Sequence, residues 1–162
     1  MPIKIFITGG TIGKQYNQLN GELVVVEDHL TEMLVQAKCT VDLDVETIML
    51  KDSLDMTEVD RETIRQYCVD SSHRHIVVTH GTDTMVETAK LLGESITDKT
   101  IVFVGSMIPY KFGGSDALFN LGTAISAVQI LPVGVYVTMN GKIFNCDNVR
   151  KNKVLGQFER LR

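Results

Sequence analysis

A chain of 162 residues fits one domain and is too short for two of ordinary size. With 44% hydrophobic and 22% charged residues it has the make-up of a globular protein able to bury its own core. Sixteen basic against twenty acidic side chains give a formal charge of -4, which supplies no basic footprint and argues against nucleic acid and anionic lipid as partners.

Met1 to Phe6 enters an apolar stretch with neither a charged n-region nor a cleavable h-region, and no apolar run approaches the ~20 residues of a membrane span. A cytoplasmic, non-membrane protein is the expectation. Ile3 to Ile7 is nearly continuous in hydrophobicity, as suits a strand buried on both faces. Gly13 to Gly21 then follows neither the helical nor the strand period and predicts a mobile loop. Leu30, Met33, Leu34 and Ala37 carry the spacing of a helix, with Asp28 placed to cap it.

Val41 to Val45 alternates apolar residues with Asp42 and Asp44, which predicts a strand near the sheet edge. Thr57 and Asp60 have capping-box spacing ahead of a helix carrying Ile64, Tyr67 and Cys68. Ile76 to Thr79 is the third strand, and Thr84 with Glu87 has capping-box spacing at the next helix. Ile101 to Val104 is the fourth strand. Asp116 is placed to cap a helix bearing Leu121, Ala124, Ile125 and Val128, and Val135 to Met139 is the fifth strand. The order β-α-β-α-β-α-β-α-β, with right-handed crossovers, predicts an α/β three-layer sandwich around a mainly parallel, Rossmann-like sheet. The three prolines fall at strand or loop ends and no linker divides residues 1–162, so one domain is expected. Cys39, Cys68 and Cys146 are odd in number and widely spaced, and are read as free, mostly buried thiols.

Ligands of open parallel sheets bind beyond the carboxyl ends of the strands, so the residues that follow each strand carry the chemical information. They are Thr8-Gly9-Gly10-Thr11-Ile12-Gly13, Lys51-Asp52-Ser53, His80-Gly81-Thr82-Asp83-Thr84, Gly105-Ser106-Met107, and a last segment holding Lys151. Hydroxyls beside glycines let a ligand approach the backbone, and a helix N-terminus near Thr82 and Asp83 suits a carboxylate or oxyanion. A threonine hydroxyl becomes a nucleophile only when a base, a lysine or a carboxylate-backed proton path activates it, which Asp83 and Lys151 would supply if the fold unites them.

Each feature also has a plain structural reading. Gly9-Gly10-Thr11 reads equally as a turn, and Asp83 and Thr84 as caps, although Thr84 with Glu87 already accounts for the cap. Ser53 alone reads as a turn residue, Lys151 alone as a solvated lysine, and His80 as a hydrogen-bonded structural histidine. His73 and His75 lack a third metal ligand, and Gly113-Gly114-Ser115-Asp116 is as well explained by a loop ending in a cap.

Thr8-Gly9-Gly10-Thr11-Ile12 and His80-Gly81-Thr82-Asp83-Thr84 resemble the two signature segments of the bacterial-type L-asparaginase and glutaminase family. Either string arises by chance in such a chain with odds on the order of one in ten thousand. Val104-Gly105-Ser106-Met107, Pro109, Ser115-Asp116, Phe119-Asn120-Leu121 and Val149-Arg150-Lys151-Asn152 extend the resemblance over essentially the whole chain, but only to the first of the family's two domains. A short-chain member without the second domain is therefore expected.

The resemblance implies asparagine hydrolysis through a threonine acyl-enzyme, without metal or organic cofactor. Thr11 matches the nucleophile, Thr82, Asp83 and Lys151 the second triad, and Tyr16 the loop tyrosine. Ser53, with Asp52 before it, matches the serine that holds the α-carboxylate, and Gly10 and Gly81 line the substrate. Leu54 stands where the family carries glutamine. Because a neighbour's second domain completes the family's pocket, the resemblance also implies a homo-oligomer. A noncatalytic amino-acid sensor on the same fold is the alternative. A nucleotide-binding oxidoreductase is a weaker one, since Thr8 stands where a dinucleotide fingerprint needs glycine.

Overall fold

The computed structural model describes residues 1–25 and 29–162, so the expected cap Asp28 lies outside the described residues. A six-stranded sheet is built from β1 (Ile3–Gly9), β4 (Leu43–Lys51), β5 (His75–Thr79), β6 (Thr100–Val104), β7 (Gly134–Met139) and β8 (Lys142–Asn145). Its order is β4-β1-β5-β6-β7-β8, parallel except for the antiparallel β7–β8 pair. The edge position expected for the Val41 region holds, although the strand begins at Leu43 and continues to Lys51.

Alternate strand residues feed two cores, which is why the central strands read as unbroken apolar runs. Phe6, Ile76, Val78, Ile101, Phe103, Val135 and Val137 face α2 (Glu58–Asp70) and α3 (Met85–Ser95). Ile3, Ile5, Val77, Val102, Val104 and Tyr136 face α1 (Leu30–Gln36) and α4 (Ala117–Ile130). Each fully buried branched or aromatic side chain contributes about 1.5–3 kcal/mol of transfer free energy. This is the three-layer arrangement expected from the sequence.

Thr57 and Asp60 form the expected capping box of α2. The other two expected caps are not made. The Thr84 hydroxyl donates instead to the Ser53 carbonyl at 2.9 Å, and makes no cap bond to α3. Asp116 makes no cap bond to α4 either, because its carboxylate is spent on the backbone of the loop after β6, while Ser115 Oγ accepts the Ala117 N–H.

The segment Gly13 to Gly21, expected as a mobile loop without either period, holds the strand β2 (Lys14–Tyr16), which pairs antiparallel with β3 (Leu23–Val25) just beyond it. A second small hairpin, β9 (Arg150–Asn152) with β10 (Gln157–Glu159), follows β8. Of the three free cysteines only Cys68 is buried, and burial pushes its thiol up to about 12. Among the described residues no helix is long and apolar enough to cross a membrane.

Candidate active site

The chain leaves β1 toward β4 on one side, and the next crossover returns to β5 on the other. This places the switch in direction, where ligands of such sheets bind, between the carboxyl ends of β1 and β5. Three segments meet there backbone to backbone. Gly10, at φ 88°, lies so close to the next strand end that a Cβ on it would sit 2.4 Å from the Gly81 nitrogen. A Cβ on Gly81 would in turn meet Ser53 Cβ and Oγ at 2.6 Å. Only glycine allows both contacts, which explains physically why glycines stand in these two turns.

Thr11 opens a 3-10 turn (Thr11–Gly13) directly after Gly10 and is partly buried. Thr82 is 6% exposed at the end of β5. The β9–β10 hairpin carries Lys151 across to it, and the Lys151 ammonium donates to Thr82 Oγ1 at 2.8 Å and to Asp83 Oδ1 at 2.9 Å. Side-chain exposures of 14% for Lys151 and 33% for Asp83 make this a half-sheltered ion pair near the carboxyl end of β5. The pairing gives Asp83 a duty other than capping α3.

Ser53 is buried. Its Oγ accepts the Thr84 N–H at 3.3 Å, so its own hydroxyl proton is available as a donor. Asp52 is less free than its place in the sequence suggested. It accepts the Leu54 N–H at 3.0 Å, capping a 3-10 turn (Ser53–Asp55), and is ion-paired to Lys14 of β2. Burial pushes the Asp52 carboxyl up, but the Lys14 ammonium, the Leu54 N–H and the more distant Lys151 charge prevail, leaving it below the ordinary carboxylate range. Tyr16 is 57% exposed and, among the described residues, makes no hydrogen bond to Thr11, Thr82, Asp83 or Lys151.

His80 follows the plain reading. Its Nδ1 faces the Gly81 carbonyl at 2.8 Å and must donate there, which leaves Nε2 to accept from the Thr88 hydroxyl at 2.8 Å. Burial, opposed only in part by the Gly81 bond, lowers it to about 4, so the ring is neutral at pH 7. His73 contacts Asp44 at 3.5 Å at the opposite end of the sheet, and no group of three metal-ligating side chains occurs among the described residues.

One constellation went unread in the sequence. Asp116, Asn120 and Asn140 form a closed hydrogen-bonded cluster beside the loop after β6. Asn140-Gly141 was a legible signal for part of it, because both residues have positive φ (49° and 86°) in the two-residue turn between β7 and β8.

The family model described as "Asparaginase, N-terminal" matches residues 2–157. The chain belongs to the asparaginase family. The L-asparaginase of Thermococcus kodakarensis is 29% identical over 96% of this chain and 49% of its own length, and its solved structure superposes with a TM-score of 0.87. A protein of Haemophilus influenzae named a probable periplasmic L-asparaginase is 32% identical over 92% of this chain and 46% of its own length. The glutaminase-asparaginase of Acinetobacter glutaminasificans is 45% identical over 47% of the chain and 24% of its own length. The chain thus spans about half the length, or less, of the curated relatives it matches.

Proposed function

We propose that this asparaginase-family chain hydrolyses the side-chain amide of L-asparagine to L-aspartate and ammonia through an acyl-threonine intermediate. The observation that carries the reading is the single ammonium of Lys151 bridging Thr82 Oγ1 and Asp83 Oδ1 at the switch point of the sheet. This lysine, 14% exposed, is held on a threonine hydroxyl beside two glycine turns where a ligand can approach the backbone.

In this reading Thr11 Oγ1 attacks the amide carbon, the carbon–nitrogen bond breaks, and the nitrogen leaves as ammonia after taking up a proton. Water then attacks the resulting ester, releasing aspartate and restoring the hydroxyl. Thr82, Lys151 and Asp83 move the protons, and backbone N–H groups near Thr82 stabilise the tetrahedral oxyanion. The Ser53 hydroxyl proton and Asp83 Oδ2 grip the α-carboxylate and α-amino groups. The backbone at Gly10 and Gly81 lets the ligand lie close. Tyr16 reaches the site by closure of the β2–β3 hairpin, and Asp52 acts through Lys14 rather than on the substrate.

The working form is a homo-oligomer whose interface lies near the strand carboxyl ends, where Ile108, Phe119 and Leu155 are 43%, 61% and 63% exposed. Light scattering is expected to show more than one chain per particle, and a monomer with full activity would refute this. The three free thiols fit a reducing, cytoplasmic compartment.

The test is ammonia release by the purified chain from L-asparagine, L-glutamine and D-asparagine. Steady release from L-asparagine is expected. Aspartate binding without ammonia release from any of the three would favour a sensor built on the same fold.

A further inference from the structure

The loop that follows β6 packs beside both partners of the Thr82–Lys151 contact. On one side, Gly105 is pressed so tightly against the end of β5 that a Cβ there would lie 2.5 Å from the His80 carbonyl oxygen and 3.3 Å from the Thr82 methyl. On the other, Met107 packs in the same core as Phe158, the residue paired with Lys151 across the β9–β10 hairpin, and its Cε lies 3.9 Å from where a Cβ on Gly156 would be. Displacement of this loop therefore moves the hydroxyl, the ammonium, or both.

Two buried or half-buried side chains at the start of α4, Asp116 just before it and Asn120 within it, hold the loop. Asp116 accepts the backbone N–H of Met107 at 3.0 Å and of Ile108 at 3.0 Å, together with the amides of Asn120 and Asn140, each at 2.9 Å. Asn120, wholly buried, donates to the Gly105 carbonyl at 2.9 Å and accepts the Asn140 N–H at 3.0 Å. Every partner of the carboxylate is a donor, so an amide of the same shape at position 116 would set an NH2 against N–H groups.

We propose that Asp116 and Asn120 are positioning residues that set the Thr82–Lys151 hydrogen bond by fixing the Gly105–Ile108 loop that packs beside both partners. The proposal rests on the acyl-transfer reading for its kinetic consequence, but its geometric claim stands apart from that reading.

The experiment compares the parent chain with Asp116→Asn, using Ile64→Val in the α2 core as a control for lost stability. Steady-state ammonia release from L-asparagine and a crystal structure are obtained for each. Asp116→Asn is expected to lower kcat by about ten- to a hundredfold with KM within about twofold, the signature of misplaced chemistry rather than lost binding. In its structure the Lys151 Nζ–Thr82 Oγ1 distance should open from 2.8 Å beyond about 3.5 Å. Ile64→Val should keep the parent kcat and the contact. A contact kept at 2.8 Å in Asp116→Asn overturns the proposal whatever the rate, and so does a parental kcat. Should the parent release no ammonia, the functional reading fails while the distance still decides the positioning claim. If Asp116→Asn does not fold, Asn120→Ser, which withdraws the donor to Gly105 and keeps the carboxylate, carries the same two readouts.

Discussion

Replacing Lys151 with methionine keeps the apolar stem of the side chain, one heavy atom shorter, and removes its charge and both hydrogen bonds. In the folded chain those bonds run to Thr82 Oγ1 at 2.8 Å and Asp83 Oδ1 at 2.9 Å, from an ammonium 14% exposed. A hydrogen bond to a charged group contributes about 1.5–3 kcal/mol. If both matter chiefly while protons are moving, their loss raises the barrier by about 4 kcal/mol, roughly a thousandfold in kcat. Fold stability should fall by far less. Asp83 keeps a third of its side chain in water and can be solvated when its partner goes, so about 1 kcal/mol or below is expected, as for other solvated ion pairs. Ammonia release under saturating asparagine gives the first quantity and urea unfolding the second. A kcat within tenfold of the parent would refute the proton-path assignment. A stability loss of several kcal/mol alongside a small rate effect would mean that Lys151 serves to hold the β9–β10 hairpin.

Ser53→Ala should act mainly on KM, by about 1.5–3 kcal/mol, because its bond to the substrate carboxylate would exist in ground and transition states alike. It should also cost about 1 kcal/mol of stability, read from urea unfolding, since Thr84 loses an acceptor for its N–H. The Lys14–Asp52 pair ties the β2–β3 hairpin to the end of β4. Because the Asp52 carboxyl is held below its ordinary range, the pair contributes its stability at neutral pH, and that contribution is lost as pH falls through the depressed value. Lys14→Met should therefore lower the urea midpoint at pH 7 and lose that deficit in strong acid, and a gap that does not change with pH would contradict the assignment.

Much of the architecture could be read because the physics is local. Continuous apolar runs in β1, β5, β6 and β7 and three-four spacing in α4 each follow from burial on two faces or on one stripe. The meeting of Gly10, Gly81 and Ser53 beyond the strand ends followed from the strand-end rule. Where the sequence reading failed, a distant partner had won. Thr84 has capping-box spacing to Glu87, but Ser53, 31 residues away, offers it a carbonyl and a hydroxyl. Asp116 has the place of a cap, but the free N–H groups of Met107 and Ile108 compete for its oxygens. Lys151 was a candidate from its place after the last strand and from the chemistry a threonine needs, but the hairpin that delivers it could not be read, because β9 and β10 are three residues each and too short to show a period. The β2–β3 hairpin escaped for the same reason, its strands being equally short and partly solvated.

That the Thr11 and Thr82 hydroxyls together carry the chemistry is tested most directly by ammonia release from L-asparagine by the parent, Thr11→Val and Thr82→Val, with aspartate binding followed by calorimetry on the same samples. Both substitutions keep the side-chain shape and remove only the hydroxyl, so they should lower kcat by about a thousandfold or more, roughly 4 kcal/mol, and leave aspartate binding nearly unchanged. Turnover near the parent rate in both variants would contradict the account and assign the reaction to other residues.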